Sequence, residues 1–206
     1  MSPQAIKEKK GAAPNRPRER ILEAAGKLFY RHGIRAVGVD AIAEAAGTNK
    51  MTLYRHFSSK DELVAEYLRQ SASGADTCWE ALQKRHPGDA LAQLRGWLKG
   101  AAARVADCDE RGCALANAAI ELPDRDHPAR RVIEAHKMEH QRRLAELAGA
   151  AGLKDPEMLA DELHLLLEGA RVTAQSVGRE GLGDRLVRMG EALIAAHASG
   201  KWHSHS

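Results

Sequence analysis

Aromatic residues and long apolar runs are both scarce in this sequence. Only 4% of its 206 residues are Phe, Trp or Tyr, while Ala and Leu are abundant. That composition favours helices, because Ala and Leu lose little side-chain entropy in a helix. No segment approaches the roughly 18 consecutive apolar residues that a membrane-spanning helix needs, and no apolar segment follows the basic N-terminus as in a secretory signal. We therefore expect a cytoplasmic protein without a membrane partner.

Cysteine is scarce as well, with only Cys78, Cys108 and Cys113. An odd number without a secretory signal argues against a disulfide framework, so free thiols in a reducing compartment are expected. Cys78 is expected to pack in the core, whereas a redox role for Cys108 and Cys113 stays open. Apolar residues make up 44% and charged residues 29%, which is enough for a buried core and excludes global disorder.

Positive charge is concentrated near the N-terminus. Residues 1–60 contain 12 Lys or Arg and 5 Asp or Glu, so this segment has a net charge of +7, while the whole chain has +3 and the remainder −4. A basic front on a mildly acidic body indicates contact with a polyanion. A solvated basic tail that includes Arg16, Arg18 and Arg20 is the alternative, and charge alone does not distinguish the two.

Apolar residues recur with helical spacing from Pro17 onward, and glycine and proline mark the boundaries. The pattern predicts an all-α fold of about nine helices, with no convincing strand. We expect a flexible basic arm over 1–15, a helix-turn-helix head over 16–60, a larger helical body over 61–200 and a tail over 201–206. The predicted helices span residues 17–32, 39–46, 50–57, 60–85, 89–107, 113–121, 127–150, 156–178 and 184–199.

The most informative segment is VDAIAEAAGTNKMTLYRHF, residues 39–57. A short apolar helix, a turn at Gly47 and a second short helix follow one another, which is the pattern of two helices packed at a steep angle. The second helix buries Leu53 and Phe57 and exposes polar, aromatic and cationic residues around them. Such a helix suits the major groove of DNA, and its N-terminal amides favour phosphate.

Several separate motifs in this region occur in one order. They are LFYRHGI at 28–34, IAEAAG at 42–47, TLYRHF at 52–57 and SKDEL at 59–63. Together they resemble the N-terminal region of the TetR family of bacterial transcriptional regulators. The resemblance covers roughly residues 18–68, and the length and helical remainder are also similar to that family.

The resemblance implies a homodimer that represses transcription by binding a palindromic operator in double-stranded DNA. It also implies that an unidentified small-molecule inducer enters the body and releases the DNA; an activator role stays open. No cofactor or catalytic residue is implied, so the protein is not expected to be an enzyme. Carried over by position, and with the neighbouring exposed Arg55 added, the DNA contacts are Thr48, Asn49, Lys50, Thr52, Tyr54, Arg55, His56 and Lys60.

The sequence departs from the family pattern at four positions. Val37 and Gly38 replace the hydroxyl residues that commonly cap the second helix and contact phosphate. Met51 replaces a common glycine, and Thr48 replaces a common valine. Since Gly38 can still serve as a cap, we expect an altered operator sequence or groove approach and retained DNA binding.

The body offers candidates for a ligand pocket and a dimer interface. Polar residues beside apolar helix faces are typical of small-molecule sites, and the predicted pocket residues are Trp79, Trp97, Asn117, Glu121, His136, His140, His164, Glu168 and Arg171. Surplus apolar surface on the last two helices indicates an interface, and the predicted interface residues are Leu165, Val172, Leu186, Met189, Leu193 and Ile194.

Two other functions stay open at this point. The i, i+4 spacing of His136 and His140 could hold a metal ion with a carboxylate such as Glu121 or Glu139, as in a small helical metalloenzyme, although no CxxC or HExxH motif supports it. The other is an architectural DNA-binding protein without an inducer. It predicts weak sequence preference and a body without a cavity.

Overall fold

The computed structural model describes residues 16–107 and 112–199; the predicted arm, the predicted tail and Cys108 lie outside them. The prediction of an all-α fold is confirmed, since the described residues form nine helices and no strand. The observed boundaries lie within two residues of the predicted ones, as at the end of the eighth helix (Ser176 against 178). The helices are α1 (Pro17–His32), α2 (Val39–Ala45), α3 (Lys50–His56), α4 (Lys60–Arg85), α5 (Ala90–Asp107), α6 (Ala114–Glu121), α7 (Pro128–Ala150), α8 (Pro156–Ser176) and α9 (Leu182–Ser199).

The chain separates into two compact units, of which the first ends at Val64 and the second begins at Ala65. Helix α4 starts in the first unit and continues into the second. None of the described helices combines length and apolar composition to the degree that crossing a membrane requires.

In the first unit, α1, α2 and α3 pack against one another around a small apolar core. Ile21, Ile42 and Leu53, one from each helix, are fully buried there. The turn between α2 and α3 needs a left-handed backbone, and Gly47 provides it with a φ of +62°. The amide of Thr48 closes the turn by donating to the carbonyl of Ala43 at 2.9 Å. This turn sets the direction in which α3 leaves α2.

In the second unit, α5, α7, α8 and α9 enclose the main core. Glycines on α9 allow that helix to approach α5 closely. A Cβ at Gly190 would lie 2.6 Å from the side chain of Leu98, and one at Gly183 would lie 3.3 Å from the carbonyl of Ala102. Large side chains from α5, α7 and α8 fill the rest of the core, including Leu94, Trp97, Leu144, Leu159, Leu163 and Leu167.

The end of α9 is fastened to the connection between α7 and α8 by His197, which is 4% exposed. Its Nδ1 lies 2.5 Å from the carbonyl of Lys154 and its Nε2 lies 3.1 Å from the carboxylate of Glu162. The amide of Lys154 donates in return to the carbonyl of His197 at 3.1 Å. These contacts hold the C-terminal turn of α9 in place.

We expect His197→Ala to lower the melting temperature of the protein by at least about 4 °C. The substitution removes two hydrogen bonds of a buried side chain and opens a cavity, and each lost bond is worth about 1–3 kcal/mol. Differential scanning calorimetry measures the shift. Glu162→Gln is the matched control, because its amide oxygen still accepts from the ring and its effect should be smaller. Equal melting temperatures for His197→Ala and the unmodified protein would show that the fastening adds no stability.

Candidate DNA-binding surface and candidate ligand cavity

Helix α3 presents a polar face over an apolar base. The side chain of Asn49 caps the helix by accepting from the amide of Thr52 at 2.9 Å. Leu53 is fully buried and Phe57 is 3% exposed, so they hold the helix against the core of the first unit. Five of the predicted DNA contacts, Asn49, Lys50, Tyr54, Arg55 and His56, are exposed, and Thr48 and Thr52 are half-buried.

The departures from the family pattern have visible structural consequences. Gly38 caps α2 with its backbone alone, and no side chain accepts from the first amides of that helix. Val37 is 5% exposed and belongs to the core. Met51, in contrast, is 79% exposed on α3. It adds a large apolar side chain to the same surface as the predicted DNA contacts.

The two lysines among the predicted contacts differ in their surroundings. Nζ of Lys50 lies 3.4 Å from the carboxylate of Asp40, and both side chains are largely exposed. An exposed pair of this kind contributes little free energy, so a phosphate oxygen can replace Asp40. Lys60 is half-buried and its Nζ donates to the carbonyl of Ile34 at 2.7 Å. Lys60 therefore also has a structural role, which the sequence did not indicate.

The alternative explanation of the N-terminal charge was a solvated basic tail, but two of its arginines belong to α1. The guanidinium of Arg18 lies over the ring of Phe57, 5.1 Å from its centroid. Nε of Arg20 donates to the carbonyl of Ala46 at the end of α2, at 3.3 Å. Both arginines fasten α1 to the helix-turn-helix, which corrects the tail interpretation for these residues.

The second unit contains a cluster of aromatic rings from α4, α5, α7 and α8. The rings of Trp79 and Trp97 stack with centroids 6.5 Å apart, and His140 contacts both tryptophans. The ring of His164 lies 5.6 Å from that of His140. These four predicted pocket residues are therefore brought together.

Hydrogen bonding and burial keep His140 neutral. Its Nε2 accepts from Nε1 of Trp97 at 3.1 Å, so the proton of a neutral ring lies on Nδ1. Burial lowers the pKa of His140 to about 3, and the charges of His164, Arg171, His136 and Lys137 act in the same direction. Burial also lowers the pKa of His164.

Glu168 and Arg171 form an ion-pair chain with Lys137, a residue that the sequence analysis did not single out. The carboxylate of Glu168 lies 2.6 Å from Nζ of Lys137 and 2.5 Å from Nη1 of Arg171. Burial by itself would raise the pKa of Glu168. The hydrogen bonds and charges of the two cations have the larger, opposite effect, so the pKa of Glu168 is lowered. The ion pair between Lys137 and Glu168 could not be predicted from the sequence, because the two residues are far apart in the chain and meet only where α7 packs against α8.

The other predicted pocket residues lie on α6 and α7. Asn117 and Glu121 are half-buried on α6, and His136 is half-buried on α7.

Burial raises the pKa of Tyr67, and the negative charge of Glu121 adds to that shift. Cys78 and Cys113 are free thiols.

A cavity of about 560 Å³ lies in the second unit, bordered by α4, α5, α6 and α8. Of the predicted pocket residues, only Arg171 is among its lining residues. Arg104, Gln175 and Arg179 were missed, although the i, i+3, i+4 spacing of Ala101, Arg104 and Val105 places a cation on an apolar face. The described lining residues are Ser71, Ala101, Arg104, Val105, Gly112, Cys113, Ala114, Leu115, Arg171, Ala174, Gln175, Gly178 and Arg179.

The predicted interface residues divide into two groups. Leu165, Val172 and Met189 are 69%, 60% and 56% exposed, and Leu193 is half-buried. Leu186 and Ile194 are 2% and 1% exposed and belong to the core of the second unit. The structure corrects the prediction for these two residues, because the face of α9 that they occupy packs against the unit's own helices.

The metal hypothesis finds little support in the geometry. No group of three or more His, Cys, Asp or Glu that could hold a metal ion occurs in residues 16–107 and 112–199. Nε2 of His140 is engaged with Trp97. The carboxylate of Glu139 is held by Arg142 and Arg143, whose hydrogen bonds lower its pKa to about 2.

We expect the free energy of unfolding of His140→Gln to decrease less at acid pH than that of the unmodified protein. The pKa of His140 falls from its usual 6.5 to about 3 on folding, so between these values the unfolded chain binds a proton that the folded chain does not. Stability therefore decreases as pH falls through this window, by at most about 1.4 kcal/mol per pH unit for this residue. Urea unfolding between pH 7.5 and pH 4.5 should show a smaller loss in His140→Gln.

His56→Gln, which changes an exposed histidine of the first unit, is the control for this measurement. A loss of stability in His140→Gln as steep as in the unmodified protein and the control would contradict the assignment of a neutral buried ring.

Comparisons with known proteins agree with the motif analysis of the first unit. Residues 21–67 match the family model of bacterial regulatory proteins, tetR family. The transcriptional regulator AcrR of Shigella flexneri is 35% identical over 78 residues, 38% of this chain and 36% of that protein. The transcriptional repressor KstR2 of Mycobacterium tuberculosis is 46% identical over 55 residues, 27% and 28% of the two chains. The chain thus spans about a third of the length of these curated relatives.

One solved structure extends the likeness to nearly the whole chain. A crystal structure of a TetR-family transcriptional regulator from Streptomyces coelicolor is 31% identical, with a TM-score of 0.82. The match covers 88% of this chain and 96% of that one. These relatives are transcriptional regulators and not enzymes. The match includes both the helix-turn-helix head and the helical second unit. The chain is therefore a member of the TetR family of bacterial transcriptional regulators.

Proposed function

We propose that this protein is a homodimeric repressor that binds a palindromic operator and leaves it when a small molecule occupies the cavity of the second unit. The observation that carries the proposal is the exposed polar face of α3 over buried Leu53 and Phe57. Repression is supported by the relative KstR2, which is named a transcriptional repressor. An activator would use the same recognition face.

The exposed residues of α3 divide by chemistry into two kinds of DNA contact. Lys50 and Arg55 supply positive charge, and Lys50 lies at the helix N-terminus, where backbone amides also favour phosphate. Thr52 and Tyr54 carry hydroxyl groups that can exchange hydrogen bonds with base edges. Met51, at 79% exposure, can contact apolar groups such as thymine methyls. Phosphate contacts position the helix, and base contacts select the sequence.

An exposed apolar stripe supports dimerisation. Met158, Leu165 and Val172 on α8 are 57%, 69% and 60% exposed, and their seven-residue spacing places them on one face of the helix. Met189 on α9 is 56% exposed as well. Apolar stripes of this kind are typical of surfaces that a second subunit covers. A dimer would present two recognition helices to half-sites about 34–36 Å apart.

The cavity supports control by a ligand. Its volume of about 560 Å³ lies within the range of roughly 300–1,000 Å³ that is typical of small-molecule sites. An inducer releases DNA only if it binds the DNA-free state more tightly than the DNA-bound state. An architectural protein would have no use for such a cavity, so this alternative is the weaker one.

We expect Tyr54→Phe and Lys50→Ala to weaken DNA binding in different ways. Loss of the Tyr54 hydroxyl should reduce affinity for a selected duplex about fivefold and leave random DNA unchanged, because a base contact is lost. Loss of Lys50 should weaken binding to all duplexes and lower the salt dependence by about one charge. The measurement is fluorescence anisotropy at several salt concentrations, on a duplex that the protein itself enriches from a random library.

Lys84→Ala is the matched control, because Lys84 is an exposed lysine of α4 in the second unit and pairs with Glu80. It should leave both affinities unchanged. If Tyr54→Phe and Lys50→Ala behaved like this control, α3 would not be the recognition helix. If the library yielded no enriched duplex, sequence-specific repression would be excluded and the architectural alternative would stand.

We expect Leu165→Glu to convert the dimer into a monomer and to weaken binding to a palindromic duplex at least about tenfold. A carboxylate at the centre of an apolar contact loses its water without gaining a partner. Multi-angle light scattering measures the mass, and calorimetry checks that the fold is retained. Met138→Glu changes an equally exposed residue of α7, 69%, and should remain dimeric. A dimeric Leu165→Glu variant would contradict this interface.

A further inference from the structure

Three arginines line the cavity of the second unit. Arg104 of α5, Arg171 of α8 and Arg179 beyond α8 all line it, and none of its described lining residues is an Asp or Glu. Arginine is always charged at physiological pH and presents a fork of N–H donors that matches a carboxylate or phosphate group. Three such residues around one cavity favour an anionic ligand over a neutral or cationic one.

Arg104 and Arg171 have partners of different strength. Nη1 of Arg104 donates to the sulfur of Cys78 at 3.6 Å, and a thiol is a weak acceptor. Within the part of the chain that the structure describes, no ion pair is formed between Arg104 and a carboxylate. Arg171 shares the carboxylate of Glu168 with Lys137. One carboxylate thus serves two cations and does not neutralise both of them.

The remaining lining residues are largely apolar. Ala101 and Val105 of α5 lie on the same helix face as Arg104, one helical turn or less from it, and Leu115 and Ala174 come from α6 and α8. Hydroxyl and amide groups are supplied by Ser71 and Gln175. A ligand that fills this space must therefore present apolar surface to most of the cavity and a charged group to the arginines.

We infer that the inducer is an amphipathic organic anion, with a carboxylate or phosphate head that pairs with the lining arginines and an apolar body against the apolar lining residues. This inference rests on the proposed function, since it takes the cavity as the inducer site. Charge-assisted hydrogen bonds to a guanidinium are about twice as strong as neutral ones. A cationic ligand is repelled by the arginines, and a neutral ligand replaces their water with weaker hydrogen bonds that carry no charge.

The test compares matched compounds that differ only in the head group. Octanoate and 2-naphthoate are the carboxylate probes, octanamide and 2-naphthamide are their neutral counterparts, and octylamine is the cationic one. Calorimetric titration of the full chain gives Kd, and the melting temperature gives an independent measure because a ligand of the folded state raises it. At least one carboxylate should bind at least about tenfold more tightly than its amide, and octylamine should not bind.

Octyl phosphate and 2-naphthyl phosphate distinguish the two possible heads. Tighter binding of the phosphate than of the carboxylate with the same body assigns a phosphate head, and the reverse assigns a carboxylate. Both results support an anionic ligand.

Arg104→Gln is the informative variant, because Arg104 donates only to a thiol whereas Arg171 is ion-paired with Glu168, so the loss of Arg104 should disturb the fold less. It should weaken the best anionic probe about tenfold and leave the neutral probes unchanged. Arg95→Gln is the matched control on the same helix, since Arg95 pairs with Glu191 at 3.0 Å and does not line the cavity. It should bind the anion as tightly as the unmodified protein.

Several results would overturn the inference. They are equal affinity for the anions and the amides, binding of octylamine, no binding by any anionic probe, or an equal effect of Arg104→Gln and Arg95→Gln. A DNA-release assay separates this failure from that of the proposed function. If a neutral compound releases the operator while no anion binds, induction stands and the ligand class is wrong. If an anion binds through Arg104 but the operator stays bound, the ligand class stands and the inducer mechanism is wrong.

Discussion

The recognition face of α3 depends on the burial of Leu53 and Phe57 beneath it. A helix of seven residues is too short to be stable alone in water, so its conformation and direction come from tertiary contacts. Leu53 and Phe57 dock it on the core that α1 and α2 form. Arg18 packs on the outer side of Phe57, and the left-handed turn at Gly47 sets the exit from α2. The exposed side chains of α3 are positioned only because this small core holds.

In the second unit, the cost of burying polar groups governs the arrangement. The imidazole of His140 lies among tryptophans, accepts a hydrogen bond from Trp97 and stays neutral because burial disfavours its charged form. Glu168 remains ionised because Lys137 and Arg171 both pair with it. Each of these buried ionisable groups is thus either neutral or ion-paired. Arg171 of this cluster also lines the cavity together with Arg104 and Arg179, while no Asp or Glu is among the described lining residues. This excess of arginine in the lining is what points to an anionic ligand.

Much of the architecture could be predicted from the sequence, because helix boundaries depend on local signals. Gly33, Gly47, Pro128 and Pro156 lie at or next to the observed helix ends, where a left-handed backbone or a missing amide is tolerated. The polar face of α3 could also be predicted from the spacing of Leu53 and Phe57. The sequence could not predict which face of α9 is buried. Its apolar residues surround more than one side, and the packing of Gly183 and Gly190 against α5 decides that Leu186 and Ile194 are internal while Met189 is exposed.

The sequence by itself determined the fold class, the helix-turn-helix head and the family, because these depend on periodicity and on motifs within about fifty residues of chain. The tertiary structure decided what the second unit encloses. Arg104 and Arg171 line one cavity although 67 positions separate them, and Lys137 reaches Glu168 only through the packing of α7 on α8. Local patterns record which face of a helix is apolar. They do not record which helix covers that face, so the composition of a cavity between helices becomes visible only in the folded chain.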